Sequence, residues 1–182
     1  VLLLLLLALA YWVLDPTPPR SMVLATGSQR GAYAEFGARY AQLLAKDGIR
    51  VELRNTQGAV ENLQLLRDPK SGVDVAFVQG GVDGPAQPSE DDNQDLRSLG
   101  SLFYEPVWLF YREDAAKRLL KTDHLDSLAQ LAEWKVNIGS PGSGVPAVMR
   151  RLLEANRVDP QAMSLAQQAQ TPAVMDLLEG RL

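Results

Sequence analysis

The chain has no cysteine and a single histidine, His124. Neither a disulfide framework nor thiolate chemistry is open to it, and the ligands of a structural zinc site are missing. Positive charge is short as well. Eighteen Lys and Arg stand against 22 Asp and Glu, giving a net charge of -4 at pH 7. That balance argues against nucleic acid, which needs a basic face. The aromatic stretch Leu99–Arg112 carries Phe103, Tyr104, Trp108, Phe110 and Tyr111, yet Arg112 is its only cation. A base-stacking platform interleaves many more. Pro106 forbids one long central strand there, so the stretch reads as two shorter strands with a bend. Core packing and a crossing between lobes are its expected roles.

What is present is ordinary globular material: 46% hydrophobic and 22% charged over 182 residues. That size allows one domain, or one complete lobe and part of another. The single long apolar run is Val1–Leu14, followed by Pro16, Pro18 and Pro19. It falls short of the ~20 residues of a full span and lacks a basic leader, so the sequence reads as starting inside a longer one. Two exported readings stand. One is a signal peptide cut after Ala8-Leu9-Ala10; the other is an uncleaved anchor with Tyr11-Trp12 at the interface. The anchor is favoured, because cleavage would leave Tyr11–Leu14 as an apolar tail. Residues 15–21 then form a stiff tether, and the protein sits on the periplasmic side of the inner membrane.

The chain is organised around Ala25-Thr26-Gly27-Ser28-Gln29-Arg30-Gly31-Ala32-Tyr33. An apolar strand, Met22–Ala25, leads in, and Tyr33, Phe36, Tyr40, Leu43 and Leu44 leave at helical spacing. Gly37 and Ala41 thin the face that meets a sheet, and Asp47-Gly48 ends the helix with a left-handed turn. Ile49–Leu53 alternates like an edge strand. A helix with Val60, Leu63 and Leu66 on one face follows, and Val73–Val78 reads as the central strand. The order βαβαβ implies a parallel sheet with right-handed crossovers. After a Pro/Gly/acidic loop at 82–94, a second strand–loop–helix begins at Val136, with the loop Gly139-Ser140-Pro141-Gly142-Ser143-Gly144. Thr171-Pro172 caps a last helix carrying Val174, Leu177 and Leu178. No returning strand is evident in this second unit, which reads as truncated.

A strand running through a Gly/Ser loop into a helix aims free N–H groups at an anion. Two such loops are expected to face each other across a small-molecule cleft. Neither is a nucleotide fingerprint: the first lacks the Gly-Lys-Ser/Thr ending, and the second misses the dinucleotide spacing. Asp91, Asn93 and Asp95 mimic the start of a calcium loop, but Leu96 stands where the obligatory glycine belongs. Catalysis has little support. Ser28 and Ser143 lie outside G-x-S-x-G, and His124 sits in a polar turn. No cofactor or metal is called for, and the chain reads as a non-enzyme.

Four stretches occur in order: Ala25–Ser28 through Gly31–Tyr33, Thr56-Gln57-Gly58-Ala59-Val60-Glu61-Asn62-Leu63, Val75–Gln79, and Gly139–Gly144. Together the chain resembles the TAXI family of extracytoplasmic solute-binding subunits of TRAP transporters. The resemblance implies an α/β, two-lobed periplasmic-binding-protein fold, with a complete first lobe at 22–112 and a partial second lobe at 113–182. It implies capture of a small organic anion, a dicarboxylate or glutamate-like acid, and delivery to TRAP membrane permease subunits. The implied ligand contacts are Ser28, Gly31, Ala32 and Tyr33, then Gln57 and Gly58, then Gln79, and Ser140, Gly142, Ser143 and Gly144 from the second lobe. Plainer roles stand beside these: Gly31, Gly58 and Gly144 as backbone turns, Tyr33 as a core residue, Ser143 as a helix cap. A ligand-binding ectodomain of a membrane sensor and an exported hydrolase are the alternatives.

Overall fold

A computed structural model describes Tyr11, residues 19–82 and residues 96–182. The apolar run and most of the tether, together with the 83–95 part of the acidic loop and its calcium-like motif, lie outside these residues. No helix among the described residues is long and apolar enough to cross a membrane.

The first unit is the expected parallel βαβαβ. Strands β1 (Ser21–Ala25), β2 (Arg50–Arg54) and β3 (Val75–Ala76) alternate with helices α1 (Ala32–Ala45) and α2 (Ala59–Arg67). All pairings are parallel, in the order β2-β1-β3, with Leu24 opposite both Leu53 and Val75. The centre is therefore β1, where Leu24 and Ala25 are buried, and not the Val73–Val78 run. That run is apolar for another reason: α1 lays Tyr33 and Tyr40 over Phe77, with ring centroids 5.3 and 6.2 Å away. A strand covered by a helix and a strand between two others show the same continuous hydrophobicity. Gly37 is buried where α1 crosses the sheet. Gly48 takes the left-handed turn, φ +75°, and Ile49 N–H closes on Leu44 C=O at 3.0 Å.

The second unit comprises helices α3 (Glu113–Leu120), α4 (Val145–Ala155) and α5 (Gln170–Leu178) with strands β4 (Lys135–Asn137) and β5 (Ser164–Ala166). β4 and β5 pair in parallel, Val136 opposite Leu165. A strand does return, contrary to the sequence expectation. It escaped notice because it is three residues long and two of its members, Ser164 and Leu165, are exposed. The core is built from Leu131, Trp134, Val136, Ile138, Met149, Leu153 and Met163, with Ala116 from α3. The last helix starts at Gln170, with Ala169 rather than Thr171 as its N-cap. Pro172 stays in the first turn, where an amide hydrogen has no helical partner to lose.

Residues 99–112 form no strand. An extended segment becomes one only beside a hydrogen-bonded neighbour, and among the described residues neither sheet reaches it. Core packing is contradicted for most of its rings as well: Tyr104, Trp108 and Phe110 are exposed. Phe103 alone docks in the first unit, stacked on Phe36 at 4.5 Å, while Tyr111 meets Trp134 edge-on in the second.

Candidate functional site

The order β2-β1-β3 makes the chain leave β1 toward one side and return through α2 to the other. Loops diverge at such a switch point and leave a crevice beyond the strand ends. Beneath that crevice lies a buried carboxamide, Asn62, on the inner face of α2. Its Nδ2 donates to Thr26 C=O at 2.5 Å and Phe77 C=O at 2.7 Å. Its Oδ1 accepts from Thr56 Oγ1 at 2.6 Å. Thr26, Phe77 and Thr56 follow β1, β3 and β2, so one side chain ties together the exits of all three strands. The sequence signal for this was a polar residue between Ala59, Leu63 and Leu66 on an otherwise apolar face.

The loop 139–144 of the second unit sits directly against α2. Gly142 C=O accepts from Val60 N–H at 3.1 Å and Glu61 N–H at 3.3 Å. Two neighbouring donors are taken within the first unit: Gln57 N–H by the Glu61 carboxylate at 2.8 Å, and Gly58 N–H by Thr56 Oγ1 at 3.2 Å. Gly58 adopts φ +132°, and a Cβ there would meet Ser143 Cα at 3.2 Å. Side-chain packing extends the contact, with Gln79 against Gly144 and Arg151 against Gly81.

Beside this contact opens a cleft of about 940 Å³. Ser28, Tyr33, Gln57, Gly58 and Gln79 line it from the first unit, and Ser140, Ser143 and Gly144 from the second. Eight of the eleven residues named from sequence are thus brought together. The other three do not line it. Gly31 turns the chain behind Ser28, donating its N–H to Ser28 C=O at 2.8 Å. Ala32 begins α1, and Gly142 serves the contact between the units. Ser143 Oγ already donates to Ser140 C=O at 2.8 Å, so its hydroxyl braces its own loop.

Neither α1 nor α4 has a side chain capping its N-terminus. The N-terminus of α2, by contrast, is met by the Gly142 carbonyl. One acidic group lines the cleft near Tyr33: Glu105, whose carboxylate accepts a hydrogen bond from the Tyr33 hydroxyl. Burial, reinforced by that hydrogen bond and by the Glu105 charge, pushes Tyr33 well above the usual tyrosine value and keeps it a neutral donor. The sequence clue for Glu105 was a lone carboxylate inside an aromatic run. Two cations along the far wall are committed elsewhere. Arg112 pairs with Asp114 at 2.7 Å and caps α5 through Leu178 C=O at 2.8 Å. Arg181 is held by Asp176 at 2.5 Å.

A Ser/His pair is not assembled. His124 is absent from the cleft lining, and its ring faces Thr122 at 2.8 Å, Asp123 at 2.9 Å and Asp126 at 3.4 Å. Hydrogen bonding to Asp123, with the charge of Asp126, raises its pKa. Among the described residues no cluster of His, Asp and Glu could hold a metal.

Comparison with known families matches residues 24–182 to the NMT1-like family. The chain belongs to the NMT1-like family. This is a periplasmic-binding-protein-like family, so the coarse reading from sequence, an α/β protein of solute-binding type, stands. The match begins within β1 and takes in the rest of both sheet units and every residue of the cleft. No curated protein matches the sequence. For an NMT1-like chain the cleft between β1–β3 and β4–β5 is the place to look for a small-molecule ligand, and a binding role fits its largely apolar lining with a few polar groups set into it.

Proposed function

We propose that this NMT1-like chain is the extracytoplasmic solute-binding subunit of a TRAP-type transporter of the TAXI class, with a two-lobed fold that takes a small organic anion. One observation carries the proposal: strand–loop–helix turns from two separate sheets, each with a helix N-terminus free of side-chain caps, line a single cleft. Each N-terminus contributes about 0.3–1 kcal/mol toward a negative group, and up to ~2 kcal/mol when partly buried. Hydrogen bonds to a charged group, from donors such as the Gln79 amide or Ser28 hydroxyl, add about 1.5–3 kcal/mol each. Three such bonds with two N-termini approach the roughly 8 kcal/mol of micromolar binding, before the costs of association. In this reading residues 1–14 anchor the protein on the periplasmic side of the inner membrane, and membrane permease subunits receive the solute.

The test is a thermal-shift screen of the full chain against mono- and dicarboxylates, amino acids and sugars. A carboxylate present at about a hundred times its Kd adds ~2.7 kcal/mol, which raises Tm by roughly 5–10 °C for a chain of this size. Shifts with sugars alone would overturn the anion reading.

A further inference from the structure

We propose that the 139–144 loop is an internal cap on α2, and that Gly142 holds the two sheet units together before any solute enters the cleft. First-turn amides of a helix ordinarily face water or a ligand. Here Val60 and Glu61 N–H instead converge on one carbonyl from the other unit, at 3.1 and 3.3 Å. That carbonyl also places its negative end at the positive pole of α2. Two glycines permit the approach. At Gly58, φ +132° is a conformation that side chains rarely adopt, and an added Cβ would press on Ser143. At Gly142, a Cβ would lie 2.6 Å from Gln57 Cβ, inside any real contact distance. Two neutral main-chain bonds favour closure by only about 5- to 150-fold. The latch thus biases the molecule toward the closed form without locking it.

The inference concerns closure alone and holds whatever the cleft binds, so it is tested with no solute present. The chain has no cysteine, so Lys46→Cys on the first unit and Glu154→Cys on the second give a unique spin-label pair at exposed positions. The full chain should show one dominant short distance. Val60 and Glu61 amides should be protected from hydrogen exchange, unlike most first-turn amides. Gly142→Ala should lengthen and broaden the distance, and reduce protection at those two amides by about tenfold or more. Adding Gln57→Gly removes the Cβ that the new methyl meets, and should restore both signals. Wild-type distance and protection in Gly142→Ala would overturn the latch, as would unprotected Val60 and Glu61 amides in the parent chain. Opening that Gln57→Gly fails to reverse would also overturn it, by assigning the change to damage within the loop.

Discussion

Asn62 shows how far one side chain reaches in this molecule. Its carboxamide is fully buried, and two donors and one acceptor are matched to the C=O of Thr26, the C=O of Phe77 and the hydroxyl of Thr56. Leaving a buried polar group without a partner costs about 1–3 kcal/mol. Asn62→Ala strands two carbonyls, although Thr56 keeps a long contact of 3.4 Å to Thr26 C=O. A loss of about 2–4 kcal/mol is expected, read as a fall in the urea midpoint. Asn62→Asp should be worse, because a carboxylate donates nothing and would face both carbonyls with its charge. Ser28→Ala, at an exposed position, should stay within about 0.5 kcal/mol. Equal midpoints for all three variants would show that the network carries no stability. The contrast separates the polar groups beneath the loops, which the fold fixes, from the exposed Ser28 on one of them.

At the scale of elements, α1 sets two local rules against each other at Gly37. Alanine favours a helix over glycine by about 1 kcal/mol. Against that gain, a Cβ at Gly37 would lie 2.6 Å from Thr26 Cγ2 and 3.3 Å from Leu53 Cδ2. Overpacking of this kind costs about 1–3 kcal/mol. Gly37→Ala should therefore be destabilising by roughly 1–2 kcal/mol in chemical denaturation, and a stabilised variant would show that α1 can lift off the sheet at little cost. This thin face was legible in the sequence, because Gly37 falls between Phe36 and Tyr40 on a helical period. So were α2 and α4, whose apolar stripes end at Asp68 and Asn156. What was not legible depends on neighbours remote in sequence. β5 is too short to show a period, 99–112 has strand composition without a strand partner, and β3 borrows its burial from α1. The cleft residues were legible as loop chemistry. The capture of α2 by Gly142 was not, since no local pattern announces a hydrogen bond from a helix to a loop of the other unit.

The whole molecule holds two sheets with no strand shared between them. Their apolar cores are separate: Leu24, Ala25, Ala59, Leu63 and Phe77 in one, and a larger cluster from Ala116 to Met163 in the other. The described contacts that join them are a pair of hydrogen bonds and a few side chains laid on glycines, a small fraction of what either core contributes. The two units should therefore unfold at different temperatures, the first at the lower one because its core is smaller. Tryptophan offers a selective probe. Trp134 is 7% exposed in the second core, Trp108 is exposed already, and the described part of the first unit has no tryptophan. Far-UV circular dichroism reports the helices of both units. On heating, ellipticity should begin to fall before Trp134 fluorescence shifts, giving non-coincident curves that exclude a two-state transition. A solute bound across the cleft stabilises only the state in which both units are folded and joined. Saturating carboxylate should thus move the ellipticity midpoint up toward the fluorescence midpoint. Coincident curves without solute would show that the interface already couples the units. Curves that stay apart at saturation would place the solute on one unit alone.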